Sequence, residues 1–194
     1  LLPAHRMDAE SSGVLLLAKS KPTLVALLNL YGAEKPGRIW VALVQGEPAE
    51  GRFQGEAKLA PHPARPGLMQ ADSRRGKRAL TVLTVREKFS GFTLLQCEPL
   101  TDRPHQVRVH LRNLGLPVVG DAAYGGRPLL LSRLKRNYRL KANQVERPLI
   151  GRPAVHAESL SLPHPVTGEP LNVSAPWPKD LTVGVKYLRR YALG

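Results

Sequence analysis

The apolar residues of this chain come in runs of strand length, each closed by a turn residue, and that punctuation constrains the fold more than any other feature. Residues 14–18 (VLLLA) form a continuous apolar run that suits a short buried strand. Residues 38–45 (RIWVALVQ) read as another strand. In 80–86 (LTVLTVR) Leu and Val alternate with other residues, the mark of a half-buried strand. Ser90-Gly91 then supplies a turn, and 92–97 (FTLLQC) the return strand of a hairpin. Near the end, 160–162 and 171–173 flank the turn-rich 163–169 (PHPVTGE), a last strand–turn–strand unit. The stretch 47–78, with Pro61, Pro63 and Pro66 among glycines and charges, is expected to be loops with short extended pieces.

Two segments switch to helical period. Ser20 offers an N-cap and Pro22 suits a first turn; Leu24, Leu27, Leu28 and Tyr31 follow at helical spacing before Gly32. This predicts a helix over 21–31. Val107, His110, Leu111 and Leu114 share one helical face ahead of Gly115, which predicts a second over 105–114. Strands separated by a few helices imply an α+β fold, with a mixed, mainly antiparallel sheet and flanking helices and loops. The length suits one domain over 1–194.

Charge narrows the partner. With 29 Lys and Arg against 15 Asp and Glu, the formal net charge is +14, and so compact a positive charge is best explained by a polyanion, RNA or DNA before a membrane surface. No apolar run approaches the roughly 18–20 residues of a membrane helix. The basic segments 74–78 and 133–141 make Arg74, Arg75, Lys77, Arg133, Lys135 and Arg136 candidate phosphate contacts, the simpler reading being a solvated surface. Tyr138 could stack on a base or simply pack. The single cysteine, Cys97, excludes an intramolecular disulfide and a cysteine-based zinc site, and a cytoplasmic location is the expectation.

Two blocks could carry chemistry. In His5-Arg6-Met7-Asp8, a carboxylate sits in a loop just ahead of the VLLLA run, beside cations that would keep it ionised as a nucleophile requires. On chemistry alone the simpler reading is an Asx-type turn before a strand. In Arg103-Pro104-His105-Gln106-Val107-Arg108, Arg108 and Arg112 are i,i+4 neighbours able to hold a carboxylate or phosphate, and Arg103 lies at a helix start, where anions are favoured. His105 and His110 stand about 140° apart on a helix with no acidic ligand near, so no metal site is expected.

Taken together, these blocks resemble the RluA-type pseudouridine synthases. HRMDAESSGVLLLAKS is similar to that family's H-R-L-D block with its T-S-G and apolar strand, and TDRPHQVRVHLRNLGLPVVGDAAYGG to its R-T-H-Q-I-R-V-H block with the trailing G-D and Y-G. RIWVALVQGEP resembles the K-x-Y-x-A-L-V-x-G strand, RGKRALTVLTV the G-K-x-A-x-T strand, and AVHAESLSLPHPVTGEP the L-H-A and H-P segment. The five blocks occur in the family's order from residue 5 to about 176.

The resemblance implies an RNA isomerase that flips a uridine out of its stack, detaches uracil from C1′ and rejoins it through C5. Ribosomal or transfer RNA is implied as the substrate, with no cofactor or metal, no membrane and no obligate protein partner. It implies that Asp8 is the catalytic carboxylate, that Arg108 pairs with it, that Trp40 stacks on the uracil where the family has tyrosine, and that Arg6 takes the vacated place in the RNA. Leu15 and Leu17 would support the loop from below. Arg103, His105 and Gln106 become candidate RNA contacts. Trp40 lacks the phenol oxygen, and Asp102 and Pro104 replace the family's glycine and threonine; a non-catalytic RNA-binding paralogue is the alternative that Trp40 supports. Residues 1–4 do not match the segment that precedes H-R-L-D in the family, so a truncated domain is implied, with the tail over 183–191 a candidate to fill the vacancy.

Overall fold

The computed structural model describes all residues except 34–35, 141–142 and 194, so Lys141 of the second basic segment lies outside the described residues. In chain order the elements are β1 (Leu2–Pro3), β2 (Ser12–Gly13), β3 (Leu17–Ala18), α1 (Lys21–Ala33), β4 (Gly37–Gln45), β5 (Arg52–Pro61), β6 (Met69–Ala71), β7 (Lys77–Phe89), β8 (Phe92–Pro99), α2 (Gln106–Asn113), α3 (Leu131–Leu134), β9 (Val155–Pro163), β10 (Pro170–Ser174) and α4 (Lys179–Tyr191). An eight-stranded sheet runs β10-β9-β4-β8-β7-β5-β6, every pairing antiparallel, with β2 added parallel to β9. The sheet is thus mixed and mainly antiparallel, as expected. A separate two-stranded ladder joins β1 and β3.

Strand β4 is central because it is apolar on both sides. Val41, Ala42, Leu43 and Val44 are all buried, which only a strand covered on both faces tolerates. The main core combines them with Leu83 and Leu95 of the β7–β8 hairpin, Val107 and Leu111 of α2, and Leu181, Val185 and Leu188 of α4. A second cluster sets Val14, Ala18 and Leu27 against Leu160 and Leu162 of β9.

The structure departs from the sequence expectations in four places. Residues 52–61, expected as loop, form a full strand: Phe53, Gly55, Ala57 and Leu59 turn toward the protein while Arg52, Gln54, Glu56 and Lys58 face solvent. The alternation is there, but its inward residues include Gly and Ala, because α2 packs so closely that a Cβ on Gly55 would meet the His110 side chain. The run 14–18 is not one buried strand; only Val14 and Ala18 are buried, while Leu15 and Leu17 are each 44% exposed and support no loop from below. Leu114 is exposed beyond the end of α2, whose residues 106–111 are all buried. The tail over 183–191 belongs to α4, which packs on Ile150 and Leu129 in the main core rather than beside 14–18.

Two β-bulges shape the sheet near the helices. Arg86 is the extra residue where β7 meets β8, and Glu158 the extra residue where β9 meets β4. The two bulge residues pair: Arg86 Nη1 donates to Glu158 Oε1 at 2.8 Å, and the Trp177 indole donates to the same oxygen at 2.7 Å. The second bulge falls opposite Ile39 and Trp40, where such an irregularity re-aims side chains.

Under α2 runs a buried polar chain. The Thr101 hydroxyl donates to Gln106 Oε1, and Gln106 Nε2 donates to the carbonyl of Leu80 and to Thr81 Oγ1. Thr81 in turn hydrogen-bonds His110 Nδ1 at 2.9 Å. Burial lowers the His110 pKa from 6.5 to about 4. A base with a depressed folded pKa binds its proton first in the unfolded chain, so stability is lost as pH falls from 6.5 toward 4. Between pH 7.5 and 5 the His110 contribution should be about 2 kcal/mol. Urea unfolding at the two pH values should show that loss in the wild type and much less of it in His110→Gln; an equal loss in both would assign it to other groups.

Candidate active site

A cleft of about 730 Å³, open to solvent, lies where the loop after β1, strands β4 and β9 and the segment leading into α2 converge. Arg6, Asp8, Trp40, Arg103, His105 and Arg108 all line it, so residues spread over a hundred positions of sequence meet at one place.

Its electrostatic centre is Arg108. Although a cation, it is almost fully buried, and Asp121, 0% exposed, meets it with both carboxylate oxygens: Nε donates to Oδ2 at 2.7 Å and Nη2 to Oδ1 at 2.8 Å. The remaining nitrogen, Nη1, donates to Asp8 Oδ2 at 3.1 Å. Burial opposes the Arg108 charge, yet the hydrogen bonds and charge of Asp121 and Asp8 outweigh it and raise its pKa. The planar fork suits this division: one edge is committed to a buried acid and one corner is left to orient Asp8. The Arg108 guanidinium carbon also lies 4.9 Å from the centre of the Tyr124 ring.

His105 holds the other side of Asp8. It is a non-glycine residue in left-handed conformation (φ 53°), a region that histidine tolerates better than most, and it caps α2. The Tyr124 hydroxyl accepts from the Met69 amide at 2.9 Å and hydrogen-bonds His105 Nδ1 at 2.7 Å. The other ring nitrogen, Nε2, faces Asp8 Oδ1 at 3.8 Å. Burial lowers the His105 pKa, against the opposing pull of Asp8, and favours the neutral form.

The Asp8 loop is pinned at both ends. Before it, His5 Nε2 accepts from the Leu16 amide at 3.0 Å and the ring stacks on Tyr31. After it, Ser12 donates to His156 Nδ1 at 3.0 Å, and Gly13 (φ 124°) lies so close to β9 that a Cβ would strike the Ala157 backbone. The Ser11 amide closes a turn onto the Asp8 carbonyl at 2.9 Å. The turn is a backbone turn and not the Asx-type turn expected on chemistry alone, because the Asp8 carboxylate is turned to Arg108. The cation on Asp8 is the distant Arg108, not its neighbour Arg6, which is exposed.

Other expected contacts fare differently. Gln106 is a correction: every polar group of its side chain is spent inside the protein, so it joins α2 to the sheet and has nothing to offer RNA. Arg112 is exposed and shares no ligand with the buried Arg108. Arg74, Arg75 and Lys77 lie exposed in and after the β6–β7 turn, and Arg133, Lys135 and Arg136 lie exposed on and after α3; none of them lines the cleft. Asp121 and Tyr124 were given no role from the sequence, although both stand in the G-D and Y-G part of the second block. Among the described residues no cluster of three or more His, Cys, Asp or Glu is placed to hold a metal.

The sequence profile of the RNA pseudouridylate synthase family matches residues 1–113. The chain belongs to that family. It is 36% identical over 177 residues to the ribosomal large subunit pseudouridine synthase D of Xanthomonas campestris pv. campestris, an alignment covering 91% of this chain and 51% of that protein. It is 31% identical over 194 residues to the ribosomal large subunit pseudouridine synthase C of Salmonella typhi, covering 97% and 56%. The chain thus spans about half the length of the curated relatives it matches. Among solved structures it is similar to human RNA pseudouridylate synthase domain containing 1, with a TM-score of 0.71 and 26% identity over 91% of this chain and 69% of that one. Human RNA pseudouridylate synthase domain containing 4, at 22% identity, shares the fold with a TM-score of 0.75, covering 97% and 76%.

The two carboxylates on Arg108 should differ sharply in what they contribute to stability. Asp121→Ala strands a buried guanidinium edge and should cost about 3–5 kcal/mol. Asp8 is 22% exposed, and Asp8→Ala should cost under about 1 kcal/mol. Urea denaturation of both variants measures this directly; equal losses would contradict the assignment of Asp121 as the internal anchor.

Proposed function

We propose that this chain carries the catalytic centre of an RNA pseudouridine synthase that acts on ribosomal RNA, with Asp8 as the catalytic carboxylate. The single observation supporting this most is the fork of Arg108, which leaves Asp8 oriented in an open cleft beside an aromatic wall. The family and the names of its relatives support RNA as substrate; ribosomal RNA is preferred to transfer RNA because the relatives compared above are named for the large ribosomal subunit. The cytoplasm is the proposed location.

In this reading the target uridine leaves its stack, since its sugar and base must reach Asp8. Trp40 offers a face for the uracil, and the exposed Arg6 is free to enter the RNA where the base was. The C1′–N1 bond breaks and a C1′–C5 bond forms; C5 loses its proton and N1 gains one, so no atom is added to the base. Arg108 keeps Asp8 ionised and aimed while it acts on the sugar or the base. Burial favours the neutral form of His105, which faces the same carboxylate without adding a second full charge. Trp40 provides stacking but no phenol oxygen, so removal of the C5 proton falls to another base or to solvent.

Asp8→Asn should lower pseudouridine formation on a large-subunit ribosomal RNA fragment by at least about 10²–10⁴-fold while RNA affinity is retained. Trp40→Tyr should keep or raise turnover, whereas Trp40→Ala should lose about 1–3 kcal/mol of base stacking. Near wild-type turnover by Asp8→Asn would sink the reading. RNA binding by the wild type with no product on any such fragment would favour a non-catalytic paralogue.

A further inference from the structure

Beside the cleft lies a second chamber lined by Tyr31, Gly32, Pro36, Arg38, Thr101, Asp102 and Arg103, and the last four of these also line the cleft. The Tyr31 hydroxyl, Arg38 Nε and Arg103 Nε are all buried with no hydrogen-bond partner among the described residues. An unmet buried donor costs about 1–3 kcal/mol, so their gathering around one chamber needs a reason. Burial also holds the Tyr31 hydroxyl protonated, with a pKa of about 12, and therefore able to donate.

The charges already in place identify the class of ligand. Arg38 is nearly enclosed, its side chain 12% exposed; Nη2 donates to the Thr101 carbonyl at 3.0 Å and Nη1 contacts Asp102 Oδ1 at 3.1 Å. Asp102 is 60% exposed, so the acid is the loose member of the pair and the cation the fixed one. A pair that open contributes about 1 kcal/mol at most and is readily exchanged for another anion. Arg103 donates to the Asp102 carbonyl, which brings a second guanidinium to the same corner. Arg38 is also two residues from Trp40 on β4, hence on the same face of the strand, and both line the cleft.

We propose that Arg38, Arg103 and Tyr31 form a subsite for an RNA phosphodiester next to the target uridine, and that Asp102 is its built-in competitor, holding Arg38 until the phosphate displaces it. This rests on the RNA reading of the cleft. Removing the carboxylate then frees the phosphate site. The consequence is an affinity set partly by one exposed acid: Asp102 weakens binding only of an RNA whose phosphate must take Arg38.

The test is a binding cycle with an oligoribonucleotide carrying the target uridine, using wild type, Asp102→Asn, Arg38→Gln and the double variant, with thermal unfolding and Arg38→Lys as controls for the fold. Asp102→Asn should tighten binding about two- to fivefold at low salt. It should also steepen the log–log salt slope by roughly 0.7–0.9. Both gains should vanish in the Arg38→Gln background, and also when a single methylphosphonate replaces the linkage beside the uridine. An unchanged affinity in Asp102→Asn, an equal gain without Arg38, or indifference to the methylphosphonate would overturn the proposal and leave Asp102 a surface charge. Pseudouridine formation by the wild type on the same RNA is scored in parallel: its absence counts against the function, whereas turnover with an additive cycle counts against this subsite alone.

Discussion

The site depends on a buried ion pair that would be costly in any other setting. Arg108 and Asp121 have both left water, and the penalty for that is offset only because the guanidinium and carboxylate meet edge to edge with two hydrogen bonds. The backbone around Asp121 makes this possible. Val119 donates to the Leu43 carbonyl of central strand β4, Ala154 donates to the Val119 carbonyl, and the amides of Tyr124 and Gly126 both close onto Asp121. The acid is thus fixed by the sheet, Arg108 is fixed by the acid, and Asp8 is positioned by what remains of Arg108. The Asp8 loop acquires a defined carboxylate because the order of dependence runs outward from the core.

The remainder of the architecture serves the same end. Helix α2 is buried along residues 106–111, so it can present Arg108 to the cleft, Val107 and Leu111 to the main core and Val109 to the cluster with Tyr124. Gln106 and His110 tie the helix to β7 through Thr81, which keeps it from sliding along the sheet. The glycine at 55 brings it close enough for those bonds to form. On the other side, β2 lies parallel beside β9, and this pairing sets where the Asp8 loop returns to the sheet.

Much of this was legible in the sequence, and the failures share a cause. Strand β4 and the β7–β8 hairpin were readable because their burial follows one strong rule, apolar runs or alternation bounded by a turn. Strand β5 was not, because its inward positions are filled partly by Gly55 and Ala57, whose smallness answers to a helix far along the chain. The run 14–18 was overread for the opposite reason: its leucines are apolar, but Leu15 and Leu17 face outward. At the site, Asp8, Arg108 and Trp40 were found through their motifs, and the cleft brings them together. Gln106 came from the same motif, yet its side chain serves the fold. Asp121 and Tyr124 stand in the G-D and Y-G part of that block but received no role, since a buried acid is recognisable only once its cation is seen against it.

The central claim is that Asp121, which never reaches the cleft, governs the chemistry by aiming Arg108 at Asp8. It is tested most directly by single-turnover pseudouridine formation with Asp121→Asn, saturating enzyme and a ribosomal RNA fragment. The amide keeps the shape and one acceptor but loses the charge and half of the fork. A small displacement of a catalytic group can cost roughly 10²-fold in rate. The predicted result is a fall in the chemical rate of that order with RNA affinity unchanged and the protein folded at the assay temperature. A single-turnover rate equal to wild type would contradict the account.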